Sequence, residues 1–136
     1  MKLFILEDDP QRIRLFREVM FSRSTTPFHD ATFAEKLEGD GGAFELFEPP
    51  YDLICLDHDL GGRQMVDSDE EETGAAFVRW MTQAFSPEEL SRETEIIIHS
   101  YNYEGAREMA RLLREAGFKR TLVQPFGSAI LSRISG

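Results

Sequence analysis

The chain has 136 residues, of which 41% are hydrophobic and 29% charged, and its formal net charge is -10. This length allows one domain with a sizeable core but not two ordinary ones, so we expect a single domain over residues 1–136. The excess of acidic residues argues against binding along duplex nucleic acid, because such binding requires a basic face on the protein. No apolar run approaches the roughly 20 residues that cross a bilayer or the roughly 7 to 15 of a secretion signal, so we expect a cytoplasmic protein that does not enter the membrane.

Signals for strands and helices alternate five times along the chain. Residues 3–6 predict a strand, and residues 10–21 predict a helix that starts at Pro10 behind the capping residue Asp9. The later elements are a strand at 27–32, a short helix at 43–47, a strand at 53–56, a loop at 61–72, a helix at 73–85, a helix start at 86–89, a strand at 95–98, a helix at 103–116, a strand at 121–123 and a helix at 125–134.

This alternation is typical of an α/β fold. We predict a flavodoxin-like, receiver-like parallel sheet of five strands in the order 2-1-3-4-5, with helices on both faces. Cys55 is the only cysteine and lies in a predicted buried strand, so it forms no internal disulfide and is expected to be a small core residue.

Two apolar runs of the predicted sheet end in clusters that contain histidine. Asp57, His58 and Asp59 follow the third strand, and His99 follows the fourth. Ligands of open α/β sheets bind outside the carboxyl ends of the strands, and histidine is well matched to proton transfer near neutral pH. If the two strands are adjacent, His58 and His99 could act as a catalytic acid–base pair beside Asp57. The alternative is that His58 caps a loop and His99 packs beneath the first helix.

Carboxylates at two strand ends could hold a divalent metal ion. Asp8, Asp9 and Asp57 offer the oxygen ligands that magnesium prefers, with manganese as the other candidate. Without an ion, three such carboxylates would repel one another. The alternative is that Asp9 only caps the first helix and that Asp8 is solvated. Glu7, which precedes Asp8, is a further candidate.

Other polar residues near the strand ends could bind a phosphate group. Arg63 follows two glycines and could bring its guanidinium to a phosphate through two parallel hydrogen bonds, or it could simply be solvated. Ser100 and Asn102 could donate to phosphate oxygens, and we favour a helix-capping role for Asn102. Asp59 could orient His58 or bind the amides of residues 60–62.

Four motifs follow one another along the chain, namely the acidic cluster at residues 7–9, LDHDL, IHS and QPF. In order and spacing they resemble the motifs of a response-regulator receiver domain over nearly the whole chain. The resemblance implies a metal-binding role for residues 7–9, a phosphoacceptor role for Asp57 and the small hydroxyl position for Ser100. Gln124 begins the Gln-Pro-Phe that stands in place of the Lys-Pro-Phe of receivers. Because that lysine positions the acyl phosphate, the resemblance implies that ordinary receiver signalling is impaired.

The motifs LDHDLGG and IHSYN are similar to those of a narrower group, the cyclic-phosphate-processing receiver family. In that family a receiver scaffold carries paired histidines and is proposed to act on cyclic phosphates in nucleotide or RNA metabolism. We therefore expect a metal-assisted phosphoesterase for a small phosphorylated ligand or a cyclic phosphate of a nucleotide or RNA end. The residues implicated are His58, His99 and Asp57 for catalysis, Ser100, Arg63 and Gln124 for phosphate binding, and Asp8, Asp9 and Asp57 for the metal. The alternative is a non-catalytic receiver that binds metal or phosphate as a signalling or interaction module.

Overall fold

The computed structural model describes the backbone of residues 1–21 and 30–135, and the side chains of all of these except residues 21 and 135. Strands and helices alternate along these residues. In chain order they are β1 (Lys2–Leu6), α1 (Pro10–Phe21), β2 (Asp30–Ala34), α2 (Ala43–Leu46), β3 (Leu53–Leu56), α3 (Gly74–Ala84), α4 (Pro87–Leu90), β4 (Glu95–Ile98), α5 (Tyr103–Glu115), β5 (Thr121–Val123) and α6 (Ser128–Ser135).

The strands form a parallel sheet in the order β2-β1-β3-β4-β5, which confirms the predicted flavodoxin-like topology. Nearly all residues of β1, β3 and β4 are buried, because helices cover both faces of the sheet. On one face, Phe16 of α1 and Ile130 of α6 pack with Cys55. On the other, Phe77 of α3 packs in a cluster with Ile54 that also includes residues of α2, α4 and α5. We call these the α1 face and the α3 face.

Helix boundaries follow local signals in the sequence. Asp9 accepts a hydrogen bond at 2.8 Å from the amide two residues further on, at the start of α1. Three other helices have side-chain caps of the same kind, which are Thr73 for α3, Ser86 for α4 and Asn102 for α5. Gly117 has a φ of 97° just after α5, a left-handed conformation that glycine adopts easily and that ends helices.

Two predicted elements differ from the structure by more than one residue at an end, whereas the others agree to within one residue. The second strand, predicted at 27–32, is observed at Asp30–Ala34, and residues 27–29 lie outside the described residues. The last helix, predicted from residue 125, begins at Ser128. The amide of Phe126 donates to the carbonyl oxygen of His99 at 2.9 Å, so this segment still runs beside the end of β4.

None of the helices in the described part of the chain is long and apolar enough to cross a membrane.

Gly74, the first residue of α3, is expected to tolerate no side chain. A Cβ at this position would lie 1.9 Å from the carbonyl oxygen of Asp57, which is a backbone atom just after β3. Gly74→Ala should therefore lower the free energy of unfolding by about 2 kcal/mol or more, as overpacking does. Urea denaturation followed by circular dichroism measures the change. Gly127→Ala is the control, because its Cβ would meet nothing closer than 3.9 Å. Equal losses in the two variants would contradict the close approach at Gly74.

Candidate functional site

The carboxyl ends of the three central strands carry a row of polar side chains on the α1 face. Glu7, Asp57 and His99 each lie two positions beyond one of three residues that the strand register aligns. The aligned residues are Ile5, Cys55 and Ile97. Side chains two positions apart on a strand point to the same side of the sheet. The register continues past the strand ends, because the amides of Asp57 and His99 donate to the carbonyl oxygens of Leu6 and Leu56. We call the three polar residues the acidic row.

The acidic row is closely spaced and almost fully buried. One ligand atom from each side chain lies within 4.8 Å of the others, and the exposed fractions are 0% for Glu7, 4% for Asp57 and 0% for His99. His99 Nε2 lies 2.9 Å from Glu7 Oε1. Arg12 of α1 supplies positive charge, with Nη1 3.5 Å from Glu7 Oε1 and 3.9 Å from Asp57 Oδ2. One guanidinium therefore faces two carboxyl groups.

Burial favours the uncharged forms of all three side chains. It raises the pKa of Asp57 to about 7, with the negative charge of Glu7 adding to the effect, and it also raises the pKa of Glu7. Burial lowers the pKa of His99 to about 4, so this ring is neutral at pH 7. The carboxyl group of Asp57 therefore keeps a proton up to about neutral pH. A divalent cation could replace that proton, and these oxygen donors fit a hard ion such as magnesium or manganese.

A cleft of about 200 Å³ opens beside Glu7 and Asp57 at the carboxyl edge of the sheet. Asp8 and Asp9 also line it. Asp8 Oδ2 accepts a hydrogen bond from the amide of Gly62 at 2.7 Å, which ties the loop after β3 to the end of β1. Asp9 faces the same cleft while it caps α1. The arrangement provides a small, acidic opening to solvent.

Only one of the three predicted metal ligands belongs to the most closely spaced group of possible ligands in the structure. Asp57 belongs to the acidic row, but its neighbours there are Glu7 and His99 rather than Asp8 and Asp9. Asp9 performs the capping role that was its alternative, and its side chain is 45% exposed. Metal ligation by Asp8 and Asp9 stays a prediction.

Two of the three predicted phosphate-binding residues line the cleft. Ser100 is nearly buried, and its Oγ accepts the amide of Asn102 at 3.0 Å. The side chain of Arg63 is 56% exposed and pairs with Glu70 at N–O distances of 2.5 and 3.0 Å. Gln124, contrary to the prediction, is not among the lining residues. Its amide continues β5 beside β4, and its Oε1 is buried without a hydrogen-bond partner among the described residues.

The two predicted catalytic histidines do not meet. His58 and His99 are both fully buried, and neither lines the cleft. His99 points to the α1 face, where its ring packs edge-on against Phe16 and Phe126. His58 directly follows Asp57 and points to the α3 face, where its ring lies against the first turn of α5. The expectation of one cavity shared by both imidazoles is therefore wrong, because successive residues at a strand end face opposite sides of the sheet.

His58 instead joins a buried hydrogen-bond network with the loop after β3. Its Nδ1 lies 2.8 Å from Asp59 Oδ1, and its Nε2 lies 3.0 Å from Ser68 Oγ. Asp59 thus orients His58, which was one of the two roles considered for it. Its carboxylate also accepts the amides of Met65 and Val66, rather than those of residues 60–62. The alternative of a satisfied, packed ring at His99 agrees with the structure only in the packing. The Nδ1 of His99 is buried without a hydrogen-bond partner among the described residues.

Two further residues belong to the site. Glu7 was a further candidate through the receiver resemblance at residues 7–9, and the alternation of β1, continued for two positions past Ile5, points to it independently. Arg12 gives no such local signal, because its position depends on packing between elements. Its guanidinium lies 4.9 Å from the centre of the Tyr101 ring, so an aromatic residue after β4 directs it towards the carboxyl groups.

The burial of Asp57 should make the metal-free protein less stable as the pH rises. Its pKa is raised from 3.8 to about 7, so the folded chain holds a proton that the unfolded chain releases. The corresponding stabilisation is fully present below about pH 4 and is lost as the pH rises through about 7. Asp57→Asn removes this loss and should raise the free energy of unfolding at about pH 8, in EDTA, by about 2 to 4 kcal/mol.

Urea denaturation at about pH 5 and about pH 8 measures this effect. The gain from Asp57→Asn should be smaller at the lower pH, because the wild-type carboxyl group is then already protonated in the folded state. Asp40→Asn is the matched control, since Asp40 is exposed. A gain that is identical at the two pH values would contradict the raised pKa of Asp57.

Comparisons with known proteins agree on a receiver-like fold. The model of the Cyclic-phosphate processing Receiver domain family matches residues 5–115. Among solved structures, the chain is similar to the Mn(2+)-bound form of the response regulator Rcp1, with a TM-score of 0.57 and 17% identity over 99% of this chain and 89% of that one. It is also similar to the phosphorylated cyanobacterial phytochrome response regulator RcpA, with a TM-score of 0.55 and 19% identity over 98% of this chain and 85% of that one.

A response regulator receiver domain from Rhodospirillum rubrum gives a TM-score of 0.53 and 15% identity, over 99% of this chain and 89% of that one. The search of curated proteins gave no match. At these identities the solved structures establish the fold alone. The family match extends over most of the chain, including the strand ends that carry Asp57 and His99. The chain therefore belongs to the cyclic-phosphate-processing receiver domain family.

Proposed function

We propose that the protein is a divalent-metal-dependent hydrolase that opens a cyclic phosphate of a nucleotide or an RNA end. The observation that carries this proposal is the acidic row, where two buried carboxyl groups and a neutral imidazole converge within 4.8 Å at an open cleft. The family match supports the substrate class, because the family is described as processing cyclic phosphates. Magnesium is the expected ion and manganese the alternative, and a cytoplasmic location stays our expectation.

Glu7 and Asp57 are the residues that would hold the ion, with Asp8 as a further oxygen donor from the cleft wall. A bound divalent ion polarises a phosphoryl group and lowers the pKa of bound water. Arg12 balances part of the carboxylate charge, so the site need not be fully neutralised by the ion. His99 would keep Glu7 in place through the hydrogen bond between Nε2 and Oε1.

Arg63 and Ser100 are the residues that would hold the phosphate group. The ion pair between Arg63 and Glu70 is exposed, and exposed pairs contribute little to stability, so its exchange for a phosphate costs little. A guanidinium binds two phosphate oxygens at once. Ser100 Oγ accepts the amide of Asn102, which leaves the hydroxyl hydrogen to donate to a ligand in the cleft.

In the proposed reaction a water molecule attacks phosphorus and one P–O bond of the cyclic ester breaks. The departing oxygen takes a proton from water in the cleft, and the product is an open phosphate monoester. Since neither His58 nor His99 lines the cleft, no proton transfer in this reaction is assigned to them. The protein itself would bind the phosphate, bind the ion beside it and orient both.

A receiver that binds metal and phosphate without turnover is the second candidate. It is favoured by Asp57, which lies at the end of β3 in the place of the receiver phosphoacceptor, and by the similarity to RcpA, which was solved in a phosphorylated form. Gln124 argues against an ordinary switch, because glutamine has no positive charge to pair with an aspartyl phosphate. Under this candidate, Asp57 takes up a phosphoryl group and no cyclic phosphate is opened.

Divalent metal binding should depend on the acidic row. Glu7→Gln and Asp57→Asn should each weaken Mg²⁺ and Mn²⁺ binding by about 10-fold or more, whereas Asp40→Asn should leave it unchanged. Affinity should rise between about pH 6 and about pH 8, because a proton on Asp57, with its pKa of about 7, competes with the ion. Isothermal titration calorimetry measures both effects. Binding that survives both substitutions would place the ion elsewhere.

Turnover separates the two candidate functions. With magnesium or manganese, the protein should open at least one member of a panel of 2′,3′- and 3′,5′-cyclic nucleotides and cyclic-phosphate RNA ends, as followed by chromatography. EDTA should abolish the activity, and Asp57→Asn should lower it by about 100-fold or more, with Asp40→Asn as the control. If acetyl phosphate instead phosphorylates Asp57, as seen by mass spectrometry, and no cyclic phosphate is opened, the receiver candidate holds.

A further inference from the structure

The loop after β3 brings a serine to the buried histidine of the α3 face. Ser68 Oγ lies 3.0 Å from His58 Nε2, and His58 Nδ1 lies 2.8 Å from Asp59 Oδ1. A hydroxyl nucleophile, an imidazole base and a carboxylate that orients the base are thus joined by two hydrogen bonds in series. Serine hydrolases of unrelated folds share this geometric relation, which is independent of the order of the residues in the chain.

The surrounding hydrogen bonds select the tautomer of His58 that such a relay requires. Asp59 accepts hydrogen bonds from the amides of Met65 and Val66 and from the side chain of Asn102, a set of donors that suits a carboxylate acceptor. Asn102 Nδ2 donates to Asp59 Oδ1 at 2.9 Å and to the Val66 carbonyl oxygen at 3.0 Å, which uses its two hydrogens. Its third contact, to His58 Nδ1 at 3.2 Å, is the longest and receives neither hydrogen. His58 Nδ1 therefore carries the proton that faces Asp59. Its Nε2 lone pair is left to accept the hydroxyl hydrogen of Ser68.

The residue that carries the base is fully buried, whereas the residue that carries the nucleophile is partly exposed. The His58 residue is fully buried, and a Cβ on Gly105 would lie 2.5 Å from its ring, so the first turn of α5 holds the ring closely. Ser68 is partly exposed and lines a surface cavity of about 250 Å³. Arg79 Nη1 donates to the Ser68 carbonyl oxygen at 2.8 Å and fixes the loop beside α3. A ligand in this cavity would meet Ser68 without displacing His58.

Another wall of the same cavity is the start of α5, where Tyr103 and Glu104 lie. Amides in the first turn of a helix have no acceptor within the helix. Asn102 Oδ1 accepts one of them, from Gly105 at 3.0 Å, so the amides of Tyr103 and Glu104 are the remaining first-turn donors. Such donors, together with the positive end of the helix dipole, stabilise an oxygen that gains negative charge.

We propose that Ser68, His58 and Asp59 form a second catalytic site, which hydrolyses small carboxylic esters without a metal ion. Asp59 also lines the metal cleft, so the two sites are neighbours that share this residue. In the first step Ser68 Oγ bonds to the ester carbonyl carbon while its proton passes to His58 Nε2. The bond from that carbon to the alcohol oxygen then breaks, and the departing oxygen takes the proton from His58. Water next attacks the acyl-serine and gives a proton to His58, and Ser68 Oγ regains that proton as it leaves. The net products are a carboxylic acid and an alcohol.

The test uses p-nitrophenyl acetate as the substrate and a fluorophosphonate as the serine-directed probe, both in EDTA. The fluorophosphonate should add to Ser68, as located by peptide mass mapping, and Ser68→Ala should abolish both the adduct and the release of p-nitrophenol above background. Asp59→Asn should lower kcat by about 10-fold or more with KM little changed, because Asp59 positions the base and does not touch the substrate. The absence of an adduct on Ser68, or hydrolysis that survives Ser68→Ala, would overturn the proposal.

A thiol substitution tests the base without replacing a buried residue. Ser68→Cys places a thiol next to His58 Nε2, and this thiol should react with iodoacetamide near pH 7 about 10-fold faster or more than the thiol of Ser132→Cys, which is on an exposed position of α6. Burial raises the pKa of Cys55 to about 12, so the native thiol adds little to either rate. Equal rates would overturn the proposal. Because EDTA is present throughout, failure here leaves the proposed metal-dependent function untouched.

Discussion

The register of the three central strands is the constraint on which the rest of the structure depends. Once Ile5, Cys55 and Ile97 are aligned, the residues two positions further along must form one row on the α1 face. The residue after Asp57 must then point to the α3 face, so His58 and His99 are separated by the sheet itself. No rotation of either side chain can bring them together. The side chains that follow one strand therefore lie in two different chemical environments, one on each face of the sheet.

The two environments differ in how their polar groups are compensated. On the α1 face, Glu7 and Asp57 share one guanidinium, and burial raises the pKa of both carboxyl groups. This arrangement is unfavourable for folding and favourable for binding a cation, which is the balance expected at a functional site. On the α3 face, the ring nitrogens of His58 both have partners, and Asp59 accepts several hydrogen bonds. That network organises the loop after β3 and fixes the orientation of an imidazole.

Features that depend on a few neighbouring residues were predicted well from the sequence. The capping roles of Asp9 and Asn102 follow from side chains that reach an amide two or three residues away, and the burial of Cys55 follows from an apolar run. The strand order joins distant segments, and it was predicted from the fold that alternating strands and helices favour. The start of the last helix was predicted three residues too early, because the hydrogen bond from the Phe126 amide to β4 is a contact between distant segments. Gln124 was assigned to phosphate binding by position after β5 alone, and the direction of its side chain was not predicted.

The sequence by itself determined the alternation of strands and helices, and with it a site at the carboxyl edge that contains Asp57. It also contained the alternation of side chains between the two faces of the sheet. Asp57 lies two positions after Cys55 and shares its face, whereas His58 lies three positions after Cys55 and does not. Only the tertiary structure decided which side chains meet there. The pairing of Glu7 with His99 spans 92 positions, and the approach of Ser68 to His58 depends on the path of a loop. Such contacts come from packing between elements, for which the local chain carries no signal.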